Sequence, residues 1–217
     1  MSCLPEDKDE FIEKFGFPIV VKPREGYGSI HFYIVHNHDE MRYALEAIKK
    51  HGWHPIIQEY LNETSQEFTS GVTIDKSGRY IMSSISLRKF PKHGQTYKAI
   101  VDSFDLIRKS AEKIALKLGT RTAVNIQAKF DGNEAKVFEI NPRLSATLPI
   151  RAVAGINEPD ILYRNSVLSE EIHIQEYKKL LCLRYWNEIY VEPSAYQQMS
   201  SLKQIRRRDG SFSIDYF

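Results

Sequence analysis

Amide and carboxylate side chains recur at alternate positions in the segment 125–143, NIQAKFDGNEAKVFEINPR. Because side chains alternate between the two faces of a strand, Asn125 and Gln127 share a face, as do Glu139 and Asn141 on the following strand. A tight turn between the strands would bring Gln127, Glu139 and Asn141 together as oxygen donors. Such a set, with one negative charge, suits Mg²⁺ (or Mn²⁺), whose other positions go to water and nucleotide phosphates. The alternative is a hairpin with a solvated polar face.

Two cationic positions could meet the same phosphates. Arg143 follows this segment's last strand, and a guanidinium there can clamp a phosphate oxygen that the metal does not reach. Lys22 ends an apolar strand, and the loop behind it holds Gly26, Gly28 and Ser29. Such small residues let backbone N–H groups approach an anion closely. Taken alone, this second pattern also fits an ordinary turn with a surface lysine.

A third segment, IIQEYLNETSQEF (56–68), runs from an apolar strand into a polar connector. Adenine needs one backbone donor and one backbone acceptor in an apolar slot, and Glu59, Tyr60 and Leu61 lie where a strand end could supply them. Glu67 could accept hydrogen bonds from ribose hydroxyls. The alternative for Glu67 is a surface carboxylate at the start of a strand.

In this order, the three segments resemble the ATP-grasp superfamily, and within it the branch of the carbamoyl-phosphate-synthetase large chain. The resemblance runs from Phe15 to Asp160 and is carried by FPIVVKP with its glycine loop, QEYL with a later Glu, N-I-Q, and F-E-I-N-P-R. It implies an α+β fold in which two α+β subdomains enclose a nucleotide cleft. It also implies an ATP- and Mg²⁺-dependent ligase that activates a carboxylate as an acyl phosphate for an amine or similar nucleophile.

The resemblance gives each position a role in holding ATP or the metal. These roles are phosphate binding by Lys22 and its glycine loop, adenine binding by Glu59, Tyr60 and Leu61, ribose binding by Glu67, metal binding by Gln127, Glu139 and Asn141, and steadying of the transferred phosphoryl group by Arg143. In-line phosphoryl transfer needs positioning and charge neutralisation rather than a protein nucleophile. A Ser-His or Cys-His pair is therefore not required.

Arg88 and Lys98 are candidates for a clamp on a substrate carboxylate or phosphate. Both belong to the basic segment 86–98, which is predicted as a loop ahead of the longest helix. In similar ligases this region faces the acceptor substrate. A solvated basic loop is an equally good interpretation.

The elements that must position these residues follow an irregular α+β order. Strands are predicted over 18–22, 30–36, 55–61, 67–75, 79–88, 123–130, 135–140 and 180–186, and helices over 5–15, after Asn37, over 104–118 and over 159–168. Neither a dinucleotide-binding glycine motif nor a P-loop motif is present, so a doubly wound fold is not expected. We expect an ATP-grasp domain over 1–193, with about 16–60 as lid and about 61–193 as metal-bearing half, followed by a tail over 194–217.

The composition is that of an ordinary globular protein. Of 217 residues, 42% are hydrophobic and 27% charged, and 30 Lys+Arg against 28 Asp+Glu leave a net charge of +2. That balance argues against nucleic acid or membrane as the main partner. The two cysteines, Cys3 and Cys182, fit a reducing compartment, and the acidic N-terminal segment does not resemble a signal peptide. We therefore expect a cytoplasmic protein. Small-molecule carboxylate and amine substrates are what the resemblance implies.

The resemblance also leads us to expect a Rossmann-like region ahead of the nucleotide fold. In this sequence Met1 precedes FGFPIVVKP by only a short helix. Such a region normally shapes the acceptor site. Two function classes therefore stay open, an active carboxylate–amine ligase and a nucleotide-binding module that depends on a partner domain or subunit.

Overall fold

The computed structural model describes residues 1–26, 28–62, 65–92, 95–185, 189–190, 193–194, 197 and 212–213. The chain divides into two units, Met1–Cys182 and Leu183–Phe217. Within the described part of the second unit, strands β11 (Ile189–Tyr190) and β12 (Phe212–Ser213) pair antiparallel. The predicted boundary between residues 193 and 194 stays a prediction.

A four-stranded antiparallel sheet forms the N-terminal part of the first unit. Its strands are β1 (Ser2–Cys3), β2 (Ile19–Pro23), β3 (Tyr33–Val35) and β4 (Pro55–Glu59), in the order β1-β4-β2-β3. A 3₁₀ turn (Pro5–Asp7) and the helices α1 (Lys8–Phe15) and α2 (His38–Lys50) accompany it. Helix α2 begins as predicted, because Asn37 Oδ1 accepts from the Glu40 N–H at 2.9 Å.

The larger part of the first unit is a six-stranded sheet with three helices. The strands are β5 (Gln66–Ile74), β6 (Ile81–Lys92), β7 (Gln95–Val101), β8 (Ala123–Phe130), β9 (Ala135–Asn141) and β10 (Leu180–Leu183), in the order β10-β7-β6-β5-β8-β9. The helices are α3 (Asp105–Lys117), α4 (Leu148–Ala154) and α5 (Glu158–Ser166). Both predicted hairpins, β5–β6 and β8–β9, are confirmed.

Side chains alternate between the two faces of the large sheet, and different elements pack on each face. On one face, Val72, Val124 and Ile126 pack with Ala111 and Ala115 of α3. On the other, buried residues of β6 and β7 pack with α4, α5 and the segment after them; these are Met82, Ile85, Leu87, Ala99, Val101, Ile150, Ala154, Ile156, Ile161 and Ile172. The polar residues of β8 and β9 therefore project from the face of the sheet that α3 does not cover.

Three elements differ from the sequence-based expectation. Most of the segment expected as a basic loop beyond the predicted strand 79–88 is itself strand, because β6 runs to Lys92 and β7 begins at Gln95. The predicted strand over 30–36 is shorter, since Ser29 and His31 take left-handed backbone angles with φ of 57° and 58° that a strand does not allow. Helix α4 was not predicted, because it is only seven residues long and Pro149 resembles a turn signal.

Gly71, in the middle of β5, lies under a buried ion pair. A Cβ atom on it would be 2.0 Å from Glu158 Oε1 and 2.1 Å from Arg151 Nη1. In an open strand position alanine would be preferred to glycine, because glycine loses more conformational entropy on folding. The close approach of the two charged side chains reverses that preference.

We expect Gly71→Ala to destabilise the protein by about 3 kcal/mol or more, because the ion pair must move away from the new methyl group. Ser70→Ala is the matched control one position along the strand. It removes the hydroxyl that lies 2.7 Å from Ser86 Oγ and adds no atom, so its cost should be about 1 kcal/mol. Urea unfolding of both variants measures the difference. Equal stabilities would mean that the ion pair does not pack on Gly71.

Candidate functional site

The three predicted metal ligands lie on one face of the large sheet. Across β8 and β9, Gln127 is the direct partner of Glu139, and Asn125 is the direct partner of Asn141. Directly opposed residues project to the same side of a sheet. The face that carries Gln127, Glu139 and Asn141 is called the amide–carboxylate face below, and it is opposite to the face covered by α3. Within it, Asn141 Nδ2 donates to Glu139 Oε1 at 2.5 Å.

This arrangement depends on a β-bulge at Phe138. Ala128 pairs with Val137 and Gln127 pairs with Glu139, so Phe138 has no partner on β8. If β9 continued from the turn in regular pairing with no bulge, Phe138 would lie opposite Gln127. Glu139 would then project to the α3 face. The bulge therefore brings the carboxylate to the amides.

The carbonyl of the bulged residue is also where the small sheet meets β9. Lys22 Nζ, from β2, donates to Phe138 O at 2.8 Å, and Gln58 Nε2, from β4, donates to it at 3.3 Å. Lys22 is mostly buried, and burial lowers its pKa, although the adjacent Glu139 carboxylate opposes the shift. A desolvated ammonium thus lies next to the predicted metal ligand.

Lysines of β8 and β9 hold the connector predicted to bind adenine. Lys136 Nζ lies 2.6 Å from Glu59 Oε1, and Lys129 Nζ donates to Leu61 O at 3.0 Å. Partial burial opposes ionisation of Glu59, but hydrogen bonds from Lys136 and the Met1 ammonium outweigh it and hold the pKa of Glu59 below its usual range. Tyr60, between these two contacts, is half-buried. The Leu61 carbonyl is therefore engaged by a side chain of the large sheet.

Lys89 is a site residue that the sequence reasoning missed. Its side chain is only 8% exposed, and its Nζ lies 2.6 Å from Glu67 Oε1 and 2.5 Å from Gln127 Oε1. It therefore joins the predicted ribose ligand to a predicted metal ligand. Lys89 is the direct cross-strand partner of Glu67, and that pairing follows from a register shift between Thr73 and Ile74 that the predicted hairpin did not include.

The structure separates Arg88 and Lys98 from the amide–carboxylate face. Arg88 has the same strand parity as Ser84, whose hydroxyl bonds to Glu112 of α3. Across β6 and β7, Lys98 pairs with Phe90, which has that parity too. Both predicted substrate residues thus project to the α3 side, because the segment assumed to be a loop is regular strand.

The other predicted phosphate contacts, the glycine loop and Arg143, lie at exposed positions. Gly26, Gly28 and Ser29 follow β2 in an exposed turn, in which Gly28 has a φ of 64°. Arg143 lies in the connector after β9, where its backbone N–H donates to Asn141 O at 2.8 Å and its Nη1 donates to Leu144 O at 3.0 Å. Their roles stay predictions.

The donor set fits a magnesium ion that is shared with phosphates. Among the described residues, no group of three or more His, Cys, Asp or Glu side chains could hold a metal. The three predicted ligands supply one carboxylate, from Glu139, and two amide oxygens, too few for a site made only of protein. Mg²⁺ typically binds through one or two carboxylates and substrate phosphates. None of the helices in the described ranges is long and apolar enough to cross a membrane.

Comparison with known sequences supports the same family. Residues 54–188 match the sequence model of the family described as ATP-grasp in the biosynthetic pathway with Ter operon. Residues 1–77 match the RimK-like ATP-grasp domain. The carbamoyl phosphate synthase large chain of Clostridium perfringens is 29% identical over 202 residues, which cover 87% of this chain and 18% of that protein. The chain thus spans less than a fifth of that relative's length.

Solved structures share the fold. The biotin carboxylase domain of 2-oxoglutarate carboxylase from Hydrogenobacter thermophilus, solved with MgADP, ADP and bicarbonate, has a TM-score of 0.62 at 18% identity and covers 79% of this chain and 41% of its own. The N5-carboxyaminoimidazole ribonucleotide synthetase of Thermus thermophilus has a TM-score of 0.63 at 17% identity and covers 97% and 60%. The predicted α+β ATP-grasp fold is thereby confirmed.

We expect Glu139→Gln to leave the unliganded protein within about 0.5 kcal/mol of wild-type stability, because the amide keeps the shape of the side chain and an oxygen that can still accept from Asn141 Nδ2. Magnesium-dependent ATP binding should weaken by about tenfold or more, since outer-shell changes alone cost that much. The control is Glu134→Gln, an exposed carboxylate in the same hairpin. Melting temperature and ATP affinity are measured on each variant. A destabilised Glu139→Gln protein that binds Mg–ATP normally would identify Glu139 as a structural residue.

Proposed function

The chain belongs to the ATP-grasp family whose sequence model matches residues 54–188, and from that premise we propose that it is an ATP- and Mg²⁺-dependent ligase. In this proposal it activates a carboxylate as an acyl phosphate, which an amine or similar nucleophile then attacks. The observation that carries the proposal is the meeting of Glu139 and its two amide neighbours with Lys22, which reaches the same strand from the other sheet.

In the proposed complex, ATP contacts residues of both sheets. The connector with Glu59, Tyr60 and Leu61 receives the adenine, and Glu67 receives the ribose hydroxyls. Gln127, Glu139 and Asn141 would hold Mg²⁺. When bound there, the ion neutralises charge on the phosphates as they transfer.

The residues of the chain act by position and charge. The carboxylate oxygen of the substrate attacks the γ-phosphorus in line, the bond to the bridging oxygen breaks, and ADP leaves. The amine then attacks the acyl carbon, and phosphate leaves. Lys22 and Arg143 are assigned to the transferring phosphoryl oxygens, where fixed cations stabilise developing charge without reorganisation. Lys89, buried between Glu67 and Gln127, is assigned to the phosphates for the same reason.

A second candidate is a nucleotide-binding module that needs a partner domain or subunit for catalysis. The observation in its favour is that this chain corresponds to 18% of the length of the carbamoyl phosphate synthase large chain. Both candidates share the nucleotide site and differ in whether the acceptor site is complete.

ATP with Mg²⁺ should raise the melting temperature of the protein. A ligand at a hundred times its Kd adds about 2.7 kcal/mol, which for a chain of this size corresponds to about 5–10 °C. Excess EDTA should remove most of the shift, because Gln127, Glu139 and Asn141 would reach the phosphates only through the metal. The measurement is a thermal melt with ATP alone, Mg²⁺ alone and both. No shift at millimolar Mg–ATP would contradict nucleotide binding.

Release of ADP distinguishes the two candidates. The ligase should release ADP only when a suitable carboxylate is present, and more quickly when an amine is added, because the acyl phosphate then turns over. A coupled assay over a panel of small carboxylates and amines measures this. Glu139→Gln protein is the control for contaminating ATPases. A protein that binds Mg–ATP but releases no ADP with any pair supports the partner-dependent module.

A further inference from the structure

One buried ion pair on the amide–carboxylate face has no part in the proposed chemistry. Arg151 of α4 and Glu158 of α5 are each 1% exposed, and Arg151 Nη1 lies 2.9 Å from Glu158 Oε1. Arg151 Nε and Glu158 Oε2 are buried without a hydrogen-bond partner among the described residues. Buried pairs of this kind contribute little to stability compared with well-packed apolar side chains. Its presence therefore calls for another explanation.

The other side of the guanidinium contacts the strands that carry the predicted metal ligands. Arg151 Nη2 donates to Asn125 Oδ1 at 2.7 Å and lies 3.2 Å from Thr69 Oγ1, while Thr69 Oγ1 donates to the same Asn125 oxygen at 2.7 Å. All three side chains are buried. With its oxygen held by two donors, the Asn125 amide has one orientation, and the polar group that it still offers is its NH₂.

Asn125 and Thr69 are the immediate neighbours of predicted metal ligands. Asn125 is the cross-strand partner of Asn141, and Thr69 is the cross-strand partner of Gln127. Directly opposed side chains are close enough to orient one another. The guanidinium is thus one residue away from two of the three oxygen donors.

The helix that carries Arg151 also follows directly on the connector after β9. Helix α4 begins only seven positions after Asn141, and the residues between include Arg143. The connector is internally bonded, with Ser145 Oγ and Thr147 Oγ1 at 2.9 Å, and the Arg151 N–H donates to Thr147 O at 3.2 Å. By anchoring α4 on the sheet, Arg151 limits where this connector can lie.

We propose that Arg151, held by Glu158, is a positioning residue for the metal site: it fixes Asn125 and Thr69 and thereby the orientation of Asn141 and Gln127. The inference rests on the proposed function, since it assumes that these amides bind Mg²⁺. Residues behind metal ligands commonly change metal affinity by about 10- to 100-fold when they are altered.

The main test replaces the pair with apolar side chains in the double variant Arg151→Met/Glu158→Leu. Such replacements are often neutral for stability, so the melting temperature should stay close to wild type. The apparent affinity for Mn²⁺, titrated in the presence of ATP and followed by electron paramagnetic resonance, should fall by about 10- to 100-fold. ATP binding without metal should change by less than about twofold, because no direct nucleotide ligand is altered.

A matched control lies on the opposite face of the sheet. Arg108 and Glu112 of α3 form an ion pair at 2.6 Å that also contacts a strand, through Ser84. Arg108→Met/Glu112→Leu should leave Mn²⁺ affinity within about twofold of wild type, because these residues do not adjoin a predicted ligand. An equal loss in both double variants would show a general effect of sheet stability and would overturn the inference.

Thr69→Val keeps the test decisive if the double variant does not fold. It replaces the hydroxyl that contacts both Arg151 and Asn125 with a methyl group and keeps the branched shape. Mn²⁺ affinity should weaken by about two- to tenfold, the value of one hydrogen bond. The Arg151→Lys variant should bind Mn²⁺ more tightly than the Arg151→Met variant, because lysine retains the positive charge. It should bind Mn²⁺ less tightly than wild type, because lysine lacks the two-sided fork of the guanidinium.

The outcomes distinguish a failure of the proposed function from a failure of the positioning role. Wild-type protein that shows no metal-dependent ATP binding overturns the proposed function, and the positioning role with it. Wild-type protein that binds Mn²⁺ and ATP, with Thr69→Val and the Arg151/Glu158 double variant binding equally well, overturns the positioning role alone.

Discussion

The pairing register between β8 and β9 is the constraint on which the candidate site depends. Because strand side chains alternate with a period of two, a shift by one residue would move both Glu139 and Asn141 to the opposite face of the sheet. The bulge at Phe138 supplies that shift between the turn and the site. It also leaves the Phe138 carbonyl as the acceptor that Lys22 reaches from the small sheet. One inserted residue therefore sets both the donor set and the contact between the sheets.

Cationic side chains converge on this region while each keeps a partner. Lys22 donates to a carbonyl, Lys89 bonds to Glu67 and Gln127, and Lys136 bonds to Glu59. Holding ammonium groups in place before a phosphate arrives reduces the reorganisation that binding requires. The single carboxylate of the donor set, Glu139, lies among these charges. Such a balance suits a polyanionic ligand that brings its own metal.

Stability and site geometry are linked through the buried ion pair on the amide–carboxylate face. Within the described part of the chain, Arg151 and Glu158 each keep one polar side-chain atom without a partner, and the pair requires a glycine at position 71. An apolar contact would fill the same space at lower cost. The guanidinium nevertheless donates to Asn125 and Thr69, two buried polar side chains on the same face.

Local sequence patterns determined the elements and the order of the motifs. Helical spacing located α3, Asn37 with Glu40 located the start of α2, and the two turn signals located both hairpins. The resemblance to the ATP-grasp superfamily followed from short motifs in sequence order. Only the tertiary structure decided that Lys89, rather than Arg88, faces Gln127, and that Arg151 lies behind Asn125. Those facts depend on strand parity after a bulge and on contacts between residues far apart in the chain, neither of which a local pattern encodes.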